Sequence, residues 1–186
     1  MSSTAADVFD HALHTAHSWL ADVTHQLGTD DRYAAHRALR AWLHTLRDRL
    51  PAAAATDFAA QLPELFRGEF YDGWQPGRAA HRHGPEEYRE RFALEAQIPR
   101  ERVDAVAAAV TAALRARMSP GQVDGALELV AEPVRRILRG PADVPSVTHP
   151  EPPVTAGRTV PGRDRLSDAV RHNTEALVAE SLANEW

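Results

Sequence analysis

The sequence predicts an all-α protein: a helical bundle of two similar multi-helix halves, then a proline-rich linker and a carboxy-terminal amphipathic helix. Three observations carry this. Apolar residues recur at steps of three and four along most of the first 140 positions. Proline and most glycines fall between the periodic runs rather than inside them. The 13 prolines are unevenly spread, six of them lying between Pro141 and Pro161.

The first helix is expected from Thr4 to Leu27, with Ser3 or Thr4 as N-cap and Gly28 as the stop. Its stripe is Phe9, Leu13, Ala16, Leu20, Val23 and Leu27, widened by Trp19. The second runs from Asp31 to Leu50, with Ala35, Leu39, Trp42, Leu43, Leu46 and Leu50 on one face. His36, Arg40, His44 and Arg47 are expected to lean away from that face. A third, alanine-rich segment spans Ala52 to Leu62, anchored by Phe58 and Leu62. Pro63 breaks it, and a short helical turn through Leu65 and Phe66 should end at Gly68. The run Phe70-Tyr71-Asp72-Gly73-Trp74 reads as an aromatic latch over this half.

Gln75 to Gly84 reads as a loop. Pro85 suits a first helical position, and Glu86 to Ala96 continue that helix with Tyr88, Phe92 and Leu94. Arg100 to Met118 form a longer one with a stripe of Val103, Val106, Ala107, Val110, Ala113, Leu114 and Met118. Ser119-Pro120-Gly121-Gln122 reads as a capping box opening a helix to Val130. Pro133 should break the chain as Pro63 does, before a last element from Val134 to Arg139 that ends at Gly140.

The halves, about 1–74 and 85–140, share a pattern when displaced by 68 positions. Leu46 falls on Leu114, Arg47 on Arg115, Arg49 on Arg117 and Leu50 on Met118. Leu62 falls on Val130, Glu64 on Glu132 and Arg67 on Arg135. A duplicated helical unit explains that coincidence of breaks and core positions. The expected organisation is a bundle over 1–140, a flexible linker over 141–163 and a tethered helix over 164–186. The linker has too little apolar surface to offset its ordering entropy.

Composition excludes several function classes. The 186 residues include no cysteine, which removes disulfides, thiol nucleophiles and zinc–thiolate sites. All 21 basic residues are arginine, so no lysine base or Schiff base is available; a GC-rich genome is the plain explanation. A net charge of −5 gives no electrostatic reason to expect nucleic acid or acidic lipid. No apolar run approaches the length that spans a bilayer. A soluble, cytoplasmic protein is expected, without nucleic-acid or membrane partners.

Part of the chain resembles a bacterial family known as domain of unknown function 2267. The segments that carry it are "RALRAWLHTLRDRLP", "AAQLPELFRG" and "FYDGW", preceded by Trp19-Leu20. The likeness continues more loosely through "RARMSPGQV" to Gly140. The resemblance implies an all-helical intracellular domain and brings no catalytic residues with it.

The candidates for chemistry are few. His11, His14 and His17 are spaced by three along the first helix, which invites comparison with helical metal ligands. Steps of three rotate about 60° each, so the outer two diverge by about 120° and one ion cannot engage all three. With Asp7 and Asp10 four residues before His11 and His14, a solvated, ion-paired face is the simpler reading. A two-ligand site completed by His25 or a second chain is the alternative. The stripe His36, Arg40, His44 and Arg47 could bind phosphate or an acidic partner, or pair with Asp48, Asp57 and Glu64. Of the set Arg47, Asp48, Arg49, Glu64 and Arg67, all but Asp48 recur in the second half, as Arg115, Arg117, Glu132 and Arg135, which points to structure. No phosphate loop, nucleophile elbow or paired-carboxylate motif is present, and no cofactor is expected.

The function expected is therefore a non-enzymatic helical interaction or regulatory module. A protein partner or self-association is implied, with Leu166, Val170, Leu177 and Leu182 of the tethered helix as docking residues. The alternative is a histidine-dependent metal- or ligand-binding protein, with or without enzymatic activity.

Overall fold

A computed structural model describes residues 4–76 and 84–140. Among these residues there are eight α-helices, one short 3-10 turn and no strand. The linker and the tethered helix expected over 141–186, with Leu166, Val170, Leu177 and Leu182, lie outside the described residues.

Helix α1 spans Thr4–Leu27 and ends at Gly28, whose φ of 62° is the left-handed turn that closes a helix. Helix α2, Arg32–Arg47, starts at the expected N-cap: one Asp31 carboxylate oxygen accepts from the amides of Tyr33 (2.9 Å) and Ala34 (3.0 Å). Helix α3 is Ala52–Ala60 and α4 is Glu64–Tyr71. The short turn expected to stop at Gly68 is thus a full helix. Phe66 and Phe70, four apart, bury the same face, and Gly68 is accommodated on the exposed side.

Helix α5, Pro85–Ala96, begins at the expected proline and ends at Gln97, which is left-handed at φ 56°. A 3-10 turn over Arg100–Arg102 leads into α6, Val103–Arg117. The capping box expected at Ser119–Gln122 does not form. Gly121, at φ 84°, turns the chain just before α7, Gln122–Glu128, and no side chain caps that helix. Pro133 sits inside the first turn of α8, Glu132–Arg139, so the break falls before it rather than at it.

One core unites these helices. Trp42, Leu39, Leu43 and Leu46 of α2 are fully buried with Phe70, Tyr88, Phe92, Val103, Leu114, Leu127 and Leu138. Helix α2 is the hub, packing on α1, α4, α5 and α6; α6 also packs on α1 and α8, and α3 on α7. The stripe of α1 departs from expectation at its start. Ala16 and Val23 are buried, but Phe9 is 71% and Leu13 48% exposed. Length explains it: 24 residues make about 36 Å of helix against about 24 Å for the 16 of α2 and about 23 Å for the 15 of α6, the two helices that pack most on it. The first turns of α1 outrun the helices packed on it. No described helix is long and apolar enough to cross a membrane.

Candidate functional site

The outer face of α2 carries His36, Arg40, His44 and Arg47, steps of four, four and three that keep them on one side of the helix. They do not all lean away. His44 and Arg47 are only 7% and 5% exposed, because α4 and α5 close over them.

Each takes a partner from those helices. His36 Nε2 lies 2.7 Å from Glu69 Oε1 on α4, and Arg40 pairs with Asp72 at 2.8 Å just beyond it. Arg47 donates to the carbonyls of Phe70 (2.6 Å) and Asp72 (2.8 Å), closing the carboxy-terminal end of α4, and to the Asp48 carboxylate (3.0 Å). Arg91 of α5 donates to the other Asp48 oxygen at 2.7 Å. Burial alone would raise the Asp48 carboxyl, but the hydrogen bonds and charges of Arg91 and Arg47 outweigh it and hold it below its usual range.

His44 joins both layers. Its Nδ1 is 2.5 Å from Glu95 Oε1 on α5, and its Nε2 is 2.7 Å from the Glu69 carbonyl oxygen on α4. One turn away, Arg49 lies over the Tyr88 ring at 4.9 Å and donates to the Thr45 carbonyl at 3.0 Å. Its Nε and Nη2 and the Tyr88 hydroxyl are buried without hydrogen-bond partners. Burial depresses the Arg49 guanidinium and pushes the Tyr88 phenol far up.

The expected ion pairing of this stripe is present, with different partners. Glu69, Asp72 and Glu95 pair with it alongside Asp48, whereas Glu64 and Asp57 do not. Glu69, Glu95 and Arg91 escaped sequence reasoning; the four-residue step from Arg91 to Glu95 was the available signal. The recurrence of the charged set is also uneven. Arg115 and Arg117 are exposed and pair with Asp124 and Asp22, whereas Arg47 and Arg49 are buried.

His11, His14 and His17 are all exposed on α1. Among the described residues, no group of three or more histidine, aspartate or glutamate side chains is placed to hold a metal ion.

Residues 16–137 match a family of uncharacterised conserved proteins, domain of unknown function 2267, and the chain belongs to that family. No curated protein matches the chain.

Proposed function

We propose that the chain is a non-enzymatic helical interaction module, in which a rigid family domain presents contact surface from its own additions. The observation that carries this reading is the exposed apolar run on α1, where Val8 is 56%, Phe9 71% and Leu13 48% exposed. These positions precede residue 16, where the family match begins. Apolar side chains that extend a core stripe yet stand about half or more open to solvent invite a partner surface. The carboxy-terminal segment, with Leu166, Val170, Leu177 and Leu182, is the second contact element in this reading, and its support is the sequence pattern alone.

The body supplies the rigidity this role needs. Its arginines are largely committed to tying helices together. Arg67 donates to the carbonyls of Ala59, Ala60 and Leu62 at the end of α3, and Arg135 to that of Glu128 at the end of α7. A bacterial regulatory setting, with a protein partner or a second copy of the chain, fits such a module.

Duplication of a four-helix unit accounts for the architecture. A displacement of 68 residues carries α4, Glu64–Tyr71, onto α8, Glu132–Arg139, and the end of α3 onto the end of α7. It carries the Arg67 bond to Ala60 onto the Arg135 bond to Glu128. The closing bond of α1, from the Thr29 amide to the Thr24 carbonyl, recurs after α5 between Ile98 and Ala93, displaced by 69. Packing is reciprocal as well: α1 lies on α6, the counterpart of α2, and α5 lies on α2.

The test compares full-length protein with Phe9→Asp/Leu13→Asp in affinity capture from the native host and in sedimentation. Loss of a captured partner or of self-association, with the melting temperature unchanged, is the expected result. Unchanged association in the double variant would overturn the reading.

A further inference from the structure

We infer that His44 is a proton-operated tie, holding α4 and α5 to α2 only while both of its ring nitrogens carry a proton. A backbone carbonyl oxygen and an ionised carboxylate can only accept. The ring meets one of each, the Glu69 carbonyl at 2.7 Å from Nε2 and Glu95 Oε1 at 2.5 Å from Nδ1. A neutral imidazole has one N–H, so it would leave one of these contacts acceptor against acceptor. The ring is only 7% exposed, and water is poorly placed to repair that loss.

A second observation points the same way. Glu69 Oε2 is buried with no donor, while Oε1 takes His36. The pocket between α2, α4 and α5 therefore offers more acceptors than the neutral side chains can satisfy. The charged groups around the ring are Glu69 from α4, Glu95 and Arg91 from α5, and His36, Arg40, Arg47 and Asp48 from α2. Both arginines of α2 are already engaged, Arg40 by Asp72 and Arg47 by Asp48 and two carbonyls, and Arg91 is held by Asp48. On α1 and α6 the paired charges bond elsewhere: Asp22 to Arg117, Asp104 to Arg89 and Arg115 to Asp124.

The second half shows that the fold does not require this arrangement. Displaced by 68 residues, His44, Arg40 and Glu69 become Ala112, Ala108 and Ile137, so the matching junction of α6 and α8 lacks these groups. A buried ionic tie is no more stabilising than good apolar packing. What it adds is sensitivity to a proton, at the one side chain whose ordinary range lies near neutrality. Because each acceptor takes a proton from the ring, loss of one proton leaves one contact without a donor, and the tie weakens as the solution becomes alkaline.

The experiment is imidazole nitrogen NMR on the full chain, assigned with His44→Gln, together with amide exchange across α4 and α5 at about pH 6 and about pH 9. The expected spectrum shows one ring with both nitrogens protonated. The protection factors of residues 69–72 and 91–96 should fall about tenfold or more on going alkaline, the worth of one charge-assisted hydrogen bond. In His44→Gln they should be flat with pH, whereas His36→Gln should retain the fall. If His44→Gln does not fold, the wild-type spectrum and His36→Gln decide. A ring with a single N–H throughout, or protection in the wild type that does not change with pH, overturns the inference.

Discussion

Trp42 and Thr111, 69 residues apart, meet in the middle of the core, where the indole Nε1–H donates to the threonine hydroxyl at 2.9 Å. Both side chains are fully buried. The hydroxyl in turn donates to the Ala107 carbonyl at 2.9 Å, so every polar atom in the pair is used. This polar contact links α2 to α6, two helices that also pack on each other and on α1.

Thr111→Val keeps the shape and removes the acceptor. The indole N–H is then stranded in an apolar core, which costs about 1–3 kcal/mol of stability. Thr111→Ser, which keeps the hydroxyl, should recover the hydrogen-bonding part of that loss. Urea unfolding of the three proteins measures the difference, and a Thr111→Val protein as stable as the wild type would show that the bond contributes nothing.

The glycine inside α4 and the glycine that ends α8 should respond to alanine in opposite directions. Gly140 has a φ of 74°, and a Cβ there would lie 2.7 Å from the Ala108 Cβ on α6. Gly140→Ala therefore combines backbone strain with a clash against a short side chain that cannot swing away, and should destabilise by about 1–3 kcal/mol. Gly68 lies inside α4, and a methyl group added there would meet nothing within 4 Å. Gly68→Ala should stabilise by about 0.5–1 kcal/mol through helix propensity. Thermal melts of both variants check the contrast.

Much of the fold was legible because it follows from local rules. Asp31 as a cap, Gly28 as a stop and Pro85 as a first residue each need only neighbours in sequence. Phe9 and Leu13 misled for a different reason. Their spacing is that of a buried stripe, and only the shorter lengths of α2 and α6 leave them largely uncovered. The charged site was half legible: the face shared by His36, Arg40, His44 and Arg47 follows from helical spacing. Their burial does not, since it depends on where α4 and α5 land. Gly121 shows the opposite failure, a complete local capping pattern overridden by a turn that needs a positive φ.

The last prediction concerns acid. Asp48 is held below its ordinary carboxyl range by Arg91 and Arg47, against a value of about 3.9 in an unfolded chain. A group depressed on folding stabilises the fold fully above its unfolded value, and that contribution is lost as pH falls through the folded one. The bundle should therefore keep this contribution down to about pH 4 and lose it below. In Asp48→Asn the charge is gone at every pH, leaving Arg47, Arg49 and Arg91 close together without their shared anion. That variant should be less stable near neutrality by about 1–3 kcal/mol. It should also lose less on acidification than the wild type, because one of the groups that titrates on unfolding has been removed. Denaturant midpoints measured at about pH 7 and about pH 3 test both halves of the statement, one on each side of the carboxyl range. Equal acid sensitivity in the two proteins would mean that other carboxylates, such as the Arg-paired Glu132 of α8 whose carboxyl is also held low by Arg135 and Arg136, set the acid limit of the fold.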